Sequence, residues 1–360
     1  MVKKHYELLH RIPERAFQEY RTAEYIEQEL KAAGYAPVRI GGTGLYADLC
    51  VDPQLPWLLF RADMDALPVQ EETGLPFASE TEGMMHACGH DAHMAMLLTA
   101  AILLKDSKLP QNIRFLFQPA EEITSGATAM IEGNAIPENT VAAFGFHVWP
   151  KVPKGKIVAK AGPLMASSTR IQINCAGKNA HCSKREEGAD ALLTAAKIAT
   201  RLQEAEAMAD GDGTVLFVGK LHSGAAHNIV SAEAEMVGTL RSYSEQSRER
   251  VLTKLEQIVQ EAAEEYGTQA KLSAFSYNPA IINPLELAEK VQKLLPEAIS
   301  EFAPSLAAED FARYQHKVPG IFLWLGVGDT AALHNGKFLV PEEVLPVGVE
   351  SWLKLANHKW

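Results

Sequence analysis

Residues 84–93 read MMHACGHDAH, which sets Cys88 and His90 beside Asp91 and flanks them with His86 and His93. Thiolate, neutral imidazole and carboxylate are the side chains that hold zinc-like divalent ions, and here they fall one or two residues apart. The alternative for such a stretch is a polar turn ahead of a helix. Further candidates follow apolar runs: Asp63 and Asp65 after 57–60, Glu121 and Glu122 after 113–118, and His147 near the end of 141–148. The ends of buried strands are where open α/β folds place their sites. Taken alone, a Glu-Glu pair is by default a solvated surface feature, and a lone histidine on an apolar strand a satisfied core residue.

The elements that must carry these residues are legible in the periodicity. Ala23, Ile26, Leu30 and Ala33 recur at helical spacing over 22–33, with Gly34 as the stop. Leu45, Ala47, Leu49 and Val51 alternate as a half-buried strand, and a second strand starts at Trp57. Residues 94–104 predict a helix packed on a sheet, with His90 and Asp91 at or near its N-terminus. The dipole of that helix would favour a thiolate at Cys88 and an ionised Asp91.

From Thr169 the pattern changes. A strand through Ile171, Ile173 and Cys175 is followed by an alanine- and leucine-rich helix over 188–208 and a loop at Asp210-Gly211-Asp212-Gly213. Strands over 214–221 and 234–243 are joined through His227-Asn228. Ser244 then caps a helix whose Val251, Leu255, Ile258, Val259 and Ala262 share a face, and 269–277 is a last strand. Strand, helix, strand, strand, helix, strand is the ferredoxin-like plan, complete in about 110 residues and able to form its own core. After Asn283-Pro284 the helix and strand alternation resumes, with a strand at 320–326, a closing helix near 342–355, and Leu333-His334-Asn335-Gly336 in the loop between them. The expected architecture is therefore α/β and discontinuous: a larger domain from 1–165 and 280–360, interrupted by an inserted α+β domain over 166–279.

A chain of 360 residues, 47% hydrophobic and 22% charged, has the composition of an ordinary globular protein and the length for two domains. Its formal charge of −11 is spread without a basic block, which excludes the electrostatic footprint of a nucleic-acid binder. No apolar run approaches the roughly 20 residues needed to cross a bilayer. The opening MVKKHYELLHRIPERAF lacks the unbroken apolar core of a signal peptide, so a cytoplasmic location is expected. Four scattered cysteines, Cys50, Cys88, Cys175 and Cys182, fit reduced thiols better than a disulfide framework.

The motifs RADMDALP, HACGHDAHM, FLFQPAEE, FGFHVWP, GKNAH and ALHNGKF occur in this order over nearly the whole chain. Together they resemble the M20 metallopeptidase family, in particular its amidohydrolase branch of aminoacylases, hippurate hydrolases, auxin-conjugate hydrolases and N-acetyl-diaminopimelate deacetylases. The resemblance implies a zinc-peptidase-like catalytic domain with a mixed sheet flanked by helices, and a ferredoxin-like lid that also mediates homodimerisation. It implies two divalent ions (zinc, manganese, cobalt or nickel) held by Cys88, His90, Glu122, His147 and His334, with Glu121 as general base. Asp65 falls at a position that orients the site from behind, and His181 at that of a histidine that stabilises the oxyanion. Asn228 and Arg241 match lid positions expected to hold the carboxylate of an N-acylated amino acid, where a guanidinium fork suits the ligand; for Arg241 a structural salt bridge is the alternative. His86, Asp91 and His93 acquire no ligand role.

The chain departs from the family pattern on the lid side. Arg185 stands in place of a proline after GKNAH, Ser231 follows NIV where proline is common, and Ala308 replaces a glycine before Glu309-Asp310. Arg185 with Lys184 would favour an acidic group on the substrate. The implied activity is hydrolysis of N-acyl amino acids; an N-acetyl-diaminopimelate deacetylase, a dipeptidase and a non-catalytic ligand-binding protein on the same scaffold are the alternatives.

Overall fold

The structure, a computed structural model, describes residues 1–211 and 213–360. Asp212, in the loop expected at 210–213, lies outside the described residues. The chain divides into two compact units: Met1–Leu164, Ile282–Ala303 and Asp310–Trp360 form the first, and Met165–Ile281 with Pro304–Glu309 the second.

The first unit is built on an eight-stranded mixed sheet, in the order Val38–Arg39, Leu45–Leu49, Asn112–Gln118, Trp57–Asp63, Thr140–Pro150, Gly320–Gly328, Ile157–Val158 and Ala298–Ile299. Its four longest strands run parallel to their neighbours among themselves, from Asn112–Gln118 through to Gly320–Gly328. They are buried along nearly their whole length, as expected when helices cover a parallel sheet. The helix His90–Leu104 is buried on almost every side, which its sequence HDAHMAMLLTAAILL requires. Helices Val2–His10 and Leu345–Asn357 pack against it. Phe60, Phe115, Phe144, Phe146 and Trp352 meet in the core below the site, each such apolar side chain worth about 1.5–3 kcal/mol of burial.

The strand expected to run through Val51 stops at Leu49. The backbone N–H groups of Val51 and Asp52 donate instead to Asn112 Oδ1, at 2.8 and 3.2 Å, and Val51 turns out to solvent.

The second unit is a four-stranded antiparallel sheet in the order Gln269–Asn278, Ser167–Ala176, Glu233–Ser242, Val215–Ser223, the ferredoxin-like arrangement. Burial along Ser167–Ala176 alternates with period two, and helices Ala191–Thr200, Leu202–Glu206 and Glu245–Tyr266 cover the apolar face. Ser244 Oγ accepts the Ser247 N–H at 3.3 Å, the cap expected for the long helix. The helix expected over 188–208 is shorter and broken. Residues 188–189 belong to a strand-like pairing, Lys178 and Ala189 exchanging backbone hydrogen bonds at 2.9 and 3.0 Å, and Asp190 then caps the helix by accepting from Leu192 and Leu193. A second break falls at Arg201, whose ψ of 4° is not helical. Pro304–Glu309 joins this unit because Ala166 N–H donates to the carbonyls of Ser305 and Ala307 and Asn278 Nδ2 to that of Glu309. Among the described residues no helix is long and apolar enough to cross a membrane.

Candidate metal centre

The parallel strands of the first unit end on one edge, and the chain leaves that edge through the candidate residues. Asp63 is the last residue of its strand and Asp65 follows it; Pro119-Ala120-Glu121-Glu122 follows Asn112–Gln118; His147 lies inside Thr140–Pro150; the loop after Gly320–Gly328 carries His334. Cys88 comes just before the helix that opens at His90. Gly89 between them has φ +83°, and a Cβ there would come within 2.4 Å of Val148 Cγ2, so only glycine allows the turn to lie against that strand.

Of the groups of donor atoms that these segments bring together, two contain Cys88. Cys88, His90 and His147 form one and Cys88, Glu122 and His334 the other, with all donor atoms of a group within 4.8 Å of one another. Cys88 belongs to both. Its Sγ lies 3.3 Å from His147 Nε2, and Glu122 Oε2 lies 3.5 Å from His334 Nε2. His90 Nε2 is 4.0 Å from both Glu121 Oε2 and Glu122 Oε1. His334, 54% exposed, has φ +65°, and Ala120, just before the Glu pair, has φ +55°. Left-handed backbone at non-glycine residues costs on the order of 1–3 kcal/mol and collects at functional sites.

Asp65 fastens this edge. One carboxylate oxygen accepts the N–H of Glu121 at 2.9 Å and the other that of Glu122 at 3.0 Å. Its backbone carbonyl accepts from His90 Nδ1 at 2.8 Å, which turns His90 Nε2 toward the carboxylates. His90 Nε2 and Glu122 Oε1 are buried and make no hydrogen bond. A sulfur, nitrogen and oxygen donor set with unpartnered buried polar atoms fits a zinc-like divalent cation, because a buried polar atom left without a partner is costly.

The electrostatics point the same way. Burial opposes a charge on His90, but Asp63 and Asp65 outweigh it and lift its pKa to about 10, so this pocket favours positive charge. Burial pushes Glu122 up, against the pull of His90 and His334, and lowers His147 well below the usual imidazole range. The expectation that the helix dipole would keep Cys88 as thiolate does not hold for the protein alone. Burial, with Glu122 and Glu121 nearby, pushes this thiol well above its usual range, so a cation must displace its proton. Asp91 does stay low: burial opposes its charge, and His10 Nδ1, 2.6 Å from its carboxylate, overcomes that.

The remaining candidates lie in the second unit. Cys182 N–H donates to Asn228 O and Val230 N–H to Ala180 O, which ties the His181 segment to the segment bearing Asn228. Ser183 N–H points at His181 Nδ1 from 3.3 Å; a peptide N–H only donates, so the imidazole proton belongs on Nε2. Ser231 fills the place of the missing proline: its Oγ accepts the Gly224 N–H at 3.0 Å, donates to Glu233 O at 2.9 Å and shares a hydrogen bond with Ser223 Oγ. Among the described residues Arg241 makes no side-chain hydrogen bond or ion pair, and burial lowers its pKa, so the salt-bridge alternative finds no partner there. Lys184 is paired with Glu187 at 3.3 Å, which leaves Arg185 as the uncommitted cation of that turn.

Sequence reasoning left Asp63 and His93 unassigned and gave no role to Arg61 or Asp310. All four are buried beside the donor groups. Charged residues in a strand that otherwise reads as core, as Arg61 and Asp63 do, were the available signal.

Fold and site together define a two-domain α/β metallohydrolase, and residues 59–358 match peptidase family M20/M25/M40, to which the chain belongs. It is 35% identical to N-acetylcysteine deacetylase of Bacillus subtilis, over 97% of this chain and 94% of that one, and 32% identical to N-acetyldiaminopimelate deacetylase of the same organism, over 95% and 94%. Among solved structures, the Bacillus subtilis YXEP protein, a dinuclear metal-binding peptidase of the M20 family, superposes with a TM-score of 0.88 at 34% identity, covering 99% of this chain and 96% of that one.

Proposed function

We propose that this protein is a metal-dependent amidohydrolase that cleaves N-acyl amino acids to a carboxylic acid and a free amino acid. The observation that carries the reading is the sharing of Cys88 by two donor groups with the Glu121 carboxylate alongside them. Cys88, His90 and His147 would hold one divalent ion and Cys88, Glu122 and His334 the other, zinc, manganese, cobalt and nickel all suiting such donors. When bound, the ions polarise the amide carbonyl and acidify water. Glu121 takes a proton from the attacking water as its oxygen bonds to the acyl carbon, and returns that proton to the amine as the C–N bond breaks. His181, with its proton on Nε2, donates to the oxyanion, an interaction worth about 2.7–4 kcal/mol in comparable sites. Arg241, with Asn228, receives the substrate carboxylate.

In this reading the segments 1–165 and 280–360 supply the catalysis and 166–279 the lid. The lid would also form a homodimer: its edge strand Val215–Ser223 exposes Phe217 and Leu221. A reducing, cytoplasmic setting would keep Cys88 available as a ligand. Deacetylation is favoured over dipeptide cleavage by the two similar deacetylases, one acting on N-acetylcysteine and one on N-acetyldiaminopimelate. Arg185 favours substrates with an additional acidic group.

The test is a hydrolysis screen over N-acetyl, N-benzoyl and N-succinyl amino acids, cysteine and diaminopimelate included, with one ion supplied at a time. Glu121→Gln should abolish turnover while retaining metal. Undiminished turnover in that variant would overturn the mechanism, and metal binding without hydrolysis of any substrate would favour a binding protein on this scaffold.

A further inference from the structure

His93 lies in another cluster of donor atoms, with Asp63 and His90, again within 4.8 Å of one another. The hydrogen bonds show that this cluster is occupied in another way. Val148 N–H points at His93 Nε2 at 2.8 Å, and because a peptide N–H can only donate, Nε2 must be the acceptor. The proton of His93 therefore sits on Nδ1 and is donated to Asp63 Oδ1 at 2.6 Å. The second carboxylate oxygen of Asp63 accepts from Arg61 Nη1 at 2.6 Å, and Arg61 is held in turn by Gln118 and Asp310, both at 2.9 Å. Both ring nitrogens of His93 are thus spent, and neither is left for an ion.

The chain of bonds continues on the other side of Val148. Its carbonyl, which can only accept, takes the proton of His147 Nδ1 at 2.6 Å, and His147 Nε2 is then the lone-pair nitrogen, 3.3 Å from Cys88 Sγ. One residue's two backbone groups are therefore clamped between a histidine that does not face the site and one that does. We propose that Asp63 and His93 are positioning residues which, through Val148, fix the tautomer and ring plane of His147 and so commit its Nε2 to the ion shared with Cys88 and His90. This inference rests on the metal-centre reading above. It makes Asp63–His93 a buried support of the kind that typically changes metal affinity about 10- to 100-fold when removed.

The experiment uses two variants and the intact protein. His93→Gln keeps one donor and one acceptor, as an amide can bond both Asp63 and Val148; His93→Phe removes both while retaining a ring. Metal-stripped proteins are titrated with zinc against a chromogenic chelator. The expected result is that His93→Phe weakens one of the two ions about 10- to 100-fold and leaves the other unchanged, while His93→Gln stays within about threefold of the wild type. Equal weakening of both ions, no weakening, or the same loss in both variants would overturn the proposal. Should His93→Phe fail to fold, the wild type decides. In protein labelled with 15N-histidine, the His93 resonances, assigned by their loss in His93→Gln, should show the Nδ1–H tautomer with and without metal, and no coupling to bound 113Cd. The Nε2–H tautomer, or coupling of His93 to cadmium, would contradict it. A wild type that binds no ion would overturn the metal-centre reading instead, and the metal-free spectrum separates that failure from failure of the relay.

Discussion

Gly126 lies so close to Pro119 that a Cβ built on it would sit 1.6 Å from the Pro119 carbonyl oxygen. That contact folds the segment 119–126 back on itself, with Ser125 and Gly126 N–H donating to Ala120 O at 3.3 and 3.1 Å, and so sets where Glu121 and Glu122 stand. Gly126→Ala should displace the turn. Overpacking of this kind costs about 1–3 kcal/mol of stability, and an ångström of misplacement at a reacting group can cost on the order of 100-fold in rate. A thermal melt and kcat on the best substrate check this; kcat within twofold of the wild type would show that the turn is not coupled to the chemistry.

Asp65 is expected to act through geometry. Asp65→Asn replaces one of the two oxygens that accept Glu121 and Glu122 N–H with a donor, while the backbone carbonyl that holds His90 remains. Kcat should fall about 10- to 100-fold, as for other groups that orient a metal site, with a smaller change in KM. Equal kcat in the variant and wild type would remove Asp65 from the site.

Metal uptake should release protons. At pH 7.5 the metal-free protein carries a proton on Cys88, whose thiol burial holds high, and on His90, whose pKa is about 10. Both must leave when the residues become ligands, so calorimetry in buffers of different ionisation enthalpy should report roughly two protons released, and apparent affinity should rise with pH. Release of none would mean that the thiol and imidazole are not ligands.

His10 gives a pH signature away from the donor groups. Burial opposes its charge, but hydrogen bonds to Asp91 at 2.6 Å and Glu71 at 3.2 Å lift its pKa from 6.5 to about 9. A raised folded-state value means the stabilisation is complete below about pH 6.5 and is lost as pH rises through about 9. Glu71 has the opposite sign: burial opposes its charge, His10 and others lower it from 4.5 to about 2, and its share is lost as pH falls from 4.5 toward 2. The stability gap between wild type and His10→Gln should therefore be at most about 3 kcal/mol near pH 6 and narrow toward pH 9.5. A gap independent of pH would show that His10 is neutral in the fold.

Much of the fold was readable because each element has one dominant period. The buried parallel strands, the alternating strands of the second unit and the cap at Ser244 all follow from local chemistry. The strand end at Leu49 was not readable, since it depends on Asn112, distant in sequence. The supports of the candidate site were hidden for a similar reason. Arg61 and Asp310 meet only when their segments close together, 249 positions apart along the chain, and nothing local marks either residue as part of a pair. His93 is more instructive: its spacing from His90 looks like that of a ligand, and only the direction of the Val148 N–H shows where its lone pair is spent.

The donors come from widely spaced parts of the chain, with His334 last. During synthesis Cys88, His90, Glu122 and His147 therefore exist as an incomplete cluster while the whole second unit is being made. On the proposed ligand set, a nascent chain in that state would hold a thiol and two imidazoles without their final partner. Correct loading then becomes a matter of timing, and cells that delay metal supply until the polypeptide is finished should yield more fully active protein than those that offer it throughout.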